Sequence, residues 1–214
     1  AGRTTLAGEG LQHQDGHSHL LAGTIPNCVT YDPTYAYELA VIIQHGLVEM
    51  YEKQRNVFYY ITVMNENYTH PDMPKGVEEG IIKGMYLLEK AKKGKKHTVQ
   101  LIGSGTILRE VIKAAELLAK DYNVAADIWS ATSFNELRKD GLTVERYNRL
   151  HPEAKPKQAY VTSQLQKHTG PVIAATDYMR SYAEQIRPFV ESRFVSLGTD
   201  GYGRSDTREK LRHF

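Results

Sequence analysis

Hydrophobic positions along the chain change period several times, and each change marks an element. Residues 28–31 (CVTY) read as a short strand. Asp32 then stands where a helix N-cap is wanted, with Pro33 at the first helical position. Tyr35, Leu39, Ile42, Ile43, Leu47 and Met50 recur at helical spacing, which predicts a helix to about Tyr51 with one buried face. Residues 57–63 (VFYYITV) form a continuous β-branched and aromatic run, expected as a strand buried on both faces. A polar loop, 65–76, follows, and 77–90 hold a short helix with room for a strand at 84–88.

Beyond a lysine-rich stretch the pattern restarts. Residues 98–102 predict a strand, Gly103-Ser104-Gly105 a tight turn, and 106–120 an amphipathic helix with Ile107, Val111, Ala114, Ala115 and Leu118 on one face. A strand at 124–129 precedes a helix capped by Ser133, with Glu136 in the capping-box position. Strands at 171–175 and 193–197 flank a helix at 178–187. This alternation implies an α/β fold: two domains, each with a mainly parallel sheet covered by helices. The restart puts the domains at 1–92 and 93–214. Residues 1–26, rich in Gly, His, Gln and Thr, read as a long loop with one short helix, and such loops are usually functional.

Composition narrows the class. Of 214 residues, 41% are hydrophobic and 24% charged, enough for a core in a water-soluble chain. A net charge of +2 provides no field for nucleic acid or a membrane surface, and no apolar run approaches the ~20 residues of a membrane span. The single cysteine, Cys28, forms no disulfide within the chain, fits a reducing cytoplasm and reads as a buried, inert thiol. The run 90–96 (KAKKGKK) reads either as a solvated linker or as a patch for an acidic partner. The chain begins with Ala inside a Gly/Thr-rich segment and stops at Phe214 as a helical pattern starts, the expectation being a piece of a longer protein.

Chemistry concentrates near the start. His13, His17 and His19 fall within seven residues, with Asp15 and Glu9 nearby. Imidazole moves protons readily near neutral pH. Asp15 could orient a ring or a substrate hydroxyl. A hydrogen-bonded, half-exposed loop and a zinc site are the competing readings. On the loop reading, truncating His19 costs stability only about a kcal/mol. Gly103-Ser104-Gly105 lies between strand and helix, where phosphates bind. It lacks the third glycine of a dinucleotide fingerprint, so close packing is the plainer reading. Asn65-Glu66-Asn67-Tyr68 follows a strand end, where ligands gather in parallel sheets. The glycine-rich segment 198–206 reads as a surface turn or as a loop shaped for a ligand or a neighbouring subunit.

Several strings carry a resemblance. Residues 8–19 (GEGLQHQDGHSH), 25–28 (IPNC), 31–33 (YDP) with 35–38 (YAYE), 65–68 (NENY), and 197–201 (LGTDG) with 203–206 (GRSD) resemble the homodimeric pyruvate dehydrogenases of bacteria, in order and over nearly the whole chain. More distantly, 15–19 (DGHSH) is similar to the Asp-Gly-x-x-His segment of transketolases. That resemblance implies the later half of the domain that cradles the aminopyrimidine of thiamine diphosphate, followed by most of a transketolase-like C-terminal domain. It also implies that diphosphate and magnesium (Mg2+) ligands lie upstream, so this chain holds no metal site and is inactive alone. His19 would then meet pyruvate, Asp15 and His17 would orient substrate and ring, and His13 would matter less. Gln14 stands where relatives in that family can carry Glu, a departure that bears on the charge near the channel and not on the reaction class. The implied partners are pyruvate, a lipoyl-bearing dihydrolipoamide acetyltransferase and a second copy of the chain, without nucleic acid or membrane, in the cytoplasm. The alternatives are a transketolase-like ketol transferase, disfavoured because that family prefers Pro where His17 stands, and a non-catalytic docking fragment.

Overall fold

The computed structural model describes residues 10–64, 66–92, 94–202 and 204–213. Two sheets organise them. In the first, β1 (Cys28–Tyr31) and β2 (Phe58–Ile61) run parallel, with Cys28 opposite Phe58 and Tyr31 opposite Ile61. The second has five strands. Its spatial order is β3 (Met85–Glu89), β5 (Val124–Ala131), β4 (His97–Gly103), β6 (Val172–Met179) and β7 (Phe194–Thr199). Four of these strands are parallel, and β3 lies antiparallel along β5 at the edge.

Parallel neighbours require crossovers, and helices supply them. Before the second sheet come α1 (Ser18–Ala22), α2 (Ala36–Leu47) and α3 (Glu78–Lys83). α4 (Ile107–Asp121) joins β4 to β5. α5 (Phe134–Leu150) and α6 (Tyr160–Leu165) join β5 to β6, α7 (Arg180–Glu184) joins β6 to β7, and α8 (Arg208–His213) ends the described residues. The larger core lies on one face of the second sheet. Ile102, Trp129, Val172 and Ala174 meet Phe134, Leu137, Val161, Tyr182 and Ile186 there. On the opposite face Val99, Leu101 and Ile128 pack against Leu108, Val111 and Ala115 of α4. A smaller cluster of Tyr31, Ile42, Ile81 and Tyr86 joins the first sheet to β3. The architecture is the expected α/β arrangement of mainly parallel sheets covered by helices.

Several elements differ from the sequence reading, each for a physical reason. The lysine-rich stretch does not separate the sheets. β3, which precedes it, pairs with β5 and so belongs to the second sheet, and the sheets part before residue 85 rather than at 92–93. Asp32 does not cap α2. The helix starts at Ala36, and the Glu38 carboxylate reaches back to the amides of Thr34 (2.5 Å) and Tyr35 (2.9 Å). The buried face of α2 is Glu38, Ile42 and Gly46, while Ile43 and Leu47 are half exposed. Gly46 lies there because an added Cβ would press on the Tyr59 ring at 3.3 Å. On α4 the inward face includes Leu108, and Ala114 turns outward. β2 is not buried on both faces: Phe58 is 45% exposed and the next three residues are partly so. Among the described residues β2 pairs only with β1.

Candidate functional site

The loop before β1 acquires its shape from Asp15. The Asp15 carboxylate accepts the amides of His17 (3.1 Å) and Ser18 (3.0 Å) and the Ser18 hydroxyl. Burial works to raise its pKa, but those hydrogen bonds outweigh it and hold Asp15 below its ordinary value. The carboxylate thus caps the first turn of α1, which sends His19 inward and His17 outward. Asp15, expected to orient substrate, spends its oxygens on that turn. His17 lies against the Tyr202 ring, 5.6 Å between centroids. His13 is exposed. The three histidines therefore do not converge, and among the described residues no group of three His, Cys, Asp or Glu could hold a metal ion.

His19 is fully buried. Its ring stacks on Tyr182 at 4.8 Å and takes the edges of Tyr178 (4.8 Å) and Tyr60 (5.4 Å). Its Nε2 lies 2.9 Å from Thr62 Oγ1, and its Nδ1 is buried without a hydrogen-bond partner. Burial among aromatic rings drives its pKa down to about 4, against the pull of Asp15, so the ring is neutral near pH 7. The sequence reading placed His19 in a polar loop with little stability at stake. The aromatic cage overturns that, because truncation here leaves a buried void.

Thr62, just past β2, links His19 to Asp32, just past β1. Thr62 Oγ1 lies 2.8 Å from Asp32 Oδ1. The remaining oxygen, Asp32 Oδ2, is buried without a hydrogen-bond partner, close against Gly105. A Cβ added at Gly105 would stand 2.5 Å from it, and φ there is +49°. Burial raises Asp32 to about 7; Asp177 adds to the rise, while Thr62 and Ser104 oppose it. The backbone of Asp32 binds the second sheet's loops: its amide donates to Thr132 O (2.8 Å), and its carbonyl accepts from Gly105 N (3.1 Å). The Gly103-Ser104-Gly105 turn therefore serves close packing, as its missing third glycine suggested. An added Cβ at Gly103 would meet Leu108 Cα at 2.7 Å.

The other flagged segments are tied into the same region. Gly10 N donates to Ser205 Oγ (3.1 Å) and the Gln14 amide to Arg204 O, so the first loop meets the segment 198–206. In the 65–68 loop Glu66 pairs with Arg109 at 3.1 Å, Arg109 lies over the Tyr68 ring at 4.3 Å, and the Tyr68 hydroxyl donates to Thr34 O. Glu9, Asn65, Lys93 and Gly203 lie outside the described residues. Cys28 is buried and free, and burial raises its thiol pKa, as its apolar setting suggested. Thr62, Tyr178 and Tyr182 carried no functional signal in the sequence. Only Asp32-Pro33 carried a signal, and helix capping explained it equally well.

Residues 84–214 match the family model described as the transketolase-like TK C-terminal domain. The chain belongs to the transketolase-like family. Residues 1–71 match a second model, the pyruvate dehydrogenase E1 component middle domain. The boundary near residue 84 agrees with β3 belonging to the second sheet. Over its whole length the chain is 70% identical to the pyruvate dehydrogenase E1 component of Pseudomonas aeruginosa, 61% to that of Cupriavidus necator and 58% to that of Escherichia coli. It spans 24% of the length of each. Among solved structures, transketolase from Campylobacter jejuni superposes on 97% of this chain and 27% of its own, with TM-score 0.64 at 16% identity. A transketolase from Pichia stipitis superposes on 99% and 26%, with TM-score 0.66 at 16% identity. At such identities these two likenesses speak for the fold. Among the described residues no helix is long and apolar enough to cross a membrane.

Proposed function

We propose that this chain is the pyruvate-facing part of a pyruvate dehydrogenase E1 component, with His19 as the residue that handles the proton. The observation that carries the reading is the state of His19: a neutral ring in an aromatic cage, anchored through Nε2, with Nδ1 buried and unpaired. A buried polar atom without a partner is costly unless something else satisfies it. A pyruvate oxygen is a suitable group, and the 70% identity to a named E1 component supports that choice.

The complete enzyme would decarboxylate pyruvate and pass the acetyl group to the lipoyl group of dihydrolipoamide acetyltransferase, as a cytoplasmic homodimer. Thiamine diphosphate, when bound, would supply the carbon nucleophile and the electron sink. On this reading the Mg2+ and diphosphate are held by the rest of the complete protein, of which the chain spans 24% of the length in its relatives. This chain's contribution is to hold His19, to close the surroundings against water with Tyr60, Tyr178 and Tyr182, and to shape the approach with His17 and Asp15. By itself the chain should neither turn over pyruvate nor bind thiamine diphosphate tightly.

The test is His19→Asn in the complete enzyme, followed by steady-state turnover of pyruvate and a thermal melt. A positioned acid or donor contributes ~10²–10⁴-fold. Turnover should fall at least about 100-fold in folded enzyme that still binds thiamine diphosphate. Near-normal turnover in that variant would remove His19 from the chemistry.

A further inference from the structure

We propose that Asp32, Thr62 and His19 form a buried proton relay in which the protonation of Asp32 decides which nitrogen of His19 carries the hydrogen. The relay rests on geometry; its use in turnover rests on the function proposed above.

Thr62 is the pivot. A hydroxyl has one hydrogen to donate and two lone pairs to accept with. Thr62 Oγ1 sits 2.9 Å from His19 Nε2 and 2.8 Å from Asp32 Oδ1. When Asp32 is ionised it can only accept, so the Thr62 hydrogen points to Oδ1. Thr62 then accepts from Nε2–H, and the neutral ring presents a bare Nδ1. When Asp32 carries a proton on Oδ1, the acid donates to Thr62, and Thr62 donates to Nε2. The ring must then hold its hydrogen on Nδ1. Titrating Asp32 therefore turns Nδ1 from an acceptor into a donor without charging the imidazole.

The neighbours permit both states. Tyr31 O, 3.4 Å from Thr62 Oγ1, only accepts and cannot reverse the chain. Asp32 Oδ2 has no hydrogen-bond partner, whereas Oδ1 lies 2.8 Å from Thr62 Oγ1, so a proton on Oδ1 has its acceptor in place. The charged groups facing the relay are Asp177, which raises Asp32, and Asp15, which acts on His19; Ser104 opposes the rise of Asp32. Burial keeps the Tyr178 and Tyr182 hydroxyls protonated, and the Tyr60 ring meets His19 only by its edge. Burial also sets Asp32 at about 7 and His19 at about 4, which places the switch in Asp32 rather than in the ring.

The proton balance closes. If Nδ1–H is given to a substrate oxygen, the Thr62 hydrogen passes to Nε2 and the Asp32 proton passes to Thr62. What remains is an Asp32 carboxylate, an intact Thr62 hydroxyl and a neutral His19 with hydrogen on Nε2. One proton has left, and it came from Asp32.

Nitrogen-15 NMR of His19 in this chain, followed between about pH 5.5 and 8.5, reads the tautomer directly. The expected result is a neutral ring throughout, with Nδ1–H at the low end, Nε2–H at the high end and a midpoint near 7. Thr62→Ser should keep the transition. Thr62→Val and Asp32→Asn should each abolish it. A single fixed tautomer in the unaltered chain, or a transition that survives Thr62→Val, overturns the relay. If Thr62→Val does not fold, the unaltered chain and Asp32→Asn decide alone. In the complete enzyme Thr62→Val should alter the pH profile of pyruvate turnover. A normal relay by NMR beside undiminished turnover in His19→Asn would sink the proposed function and leave the relay standing.

Discussion

The first sheet and the second contain similar strand sequences and end in different surroundings. β6 and β2 are both rich in β-branched and aromatic residues, yet β6 is buried along most of its length while β2 shows Phe58 at 45% exposure. The second sheet has helices on both faces and a continuous apolar core. The first has two strands, and many buried side chains on and around them are polar: His19, Thr30, Asp32, Thr34, Glu38, Glu49 and Thr62. Apolar burial stabilises a fold without direction, whereas buried polar groups hold it only through particular partners. The second sheet thus supplies stability, and the first supplies chemistry that leans on it.

The comparison can be broken most sharply in the larger core. Phe134, fully buried beside Tyr182 at 5.2 Å, should cost about 3–5 kcal/mol as Phe134→Ala, a drop of about 10 °C in melting temperature by calorimetry. Next is Glu38, which holds the two regions together. Its carboxylate accepts from Thr34 N, Tyr35 N and, from the second sheet, the hydroxyls of Tyr86 (2.7 Å) and Ser130 (2.6 Å). Glu38→Ala strands four buried donors and should cost about 2–4 kcal/mol in urea unfolding, with much of the loss restored in Glu38→Gln.

A smaller effect tests the polar junction through pH. His19 is held near 4 in the fold against an ordinary 6.5, so stability falls as pH drops from 6.5 towards 4, because the unfolded chain gains a proton that the fold refuses. Asp32 is held near 7 against 3.8, so stability falls as pH rises from 3.8 to 7, because the fold retains a proton that the unfolded chain releases. Between about 4 and 6.5 the two slopes oppose each other and this pair contributes little net dependence. Asp32→Asn should remove one slope and leave melting temperature falling by several degrees with acid across that window. An unchanged profile would show that the pair does not titrate as its burial requires. The smallest effect belongs to Phe58→Ala on the open side of β2, at most about 1 kcal/mol by the same melt. A loss equal to that of Phe134→Ala would mean that β2 is covered in solution and that the contrast between the sheets is false.

By itself the sequence determined the alternation of strand and helix, the cap of α5 by Ser133, the close packing around Gly103 and the buried Cys28, because each depends on near neighbours in the chain. Its recognisable strings also led to the family. What it could not decide were features made by distant segments. β3 joins the second sheet because β5 offers it an edge about forty residues later. Asp32 is a junction carboxylate rather than a helix cap because Thr62 and Gly105, far along the chain, close over it. His19 is caged rather than looped because Tyr60 and the pair Tyr178 and Tyr182 arrive from two distant segments of the chain. Local periodicity records which face of an element is apolar, but burial, pairing and the proton states that follow from them are set by contacts across the fold.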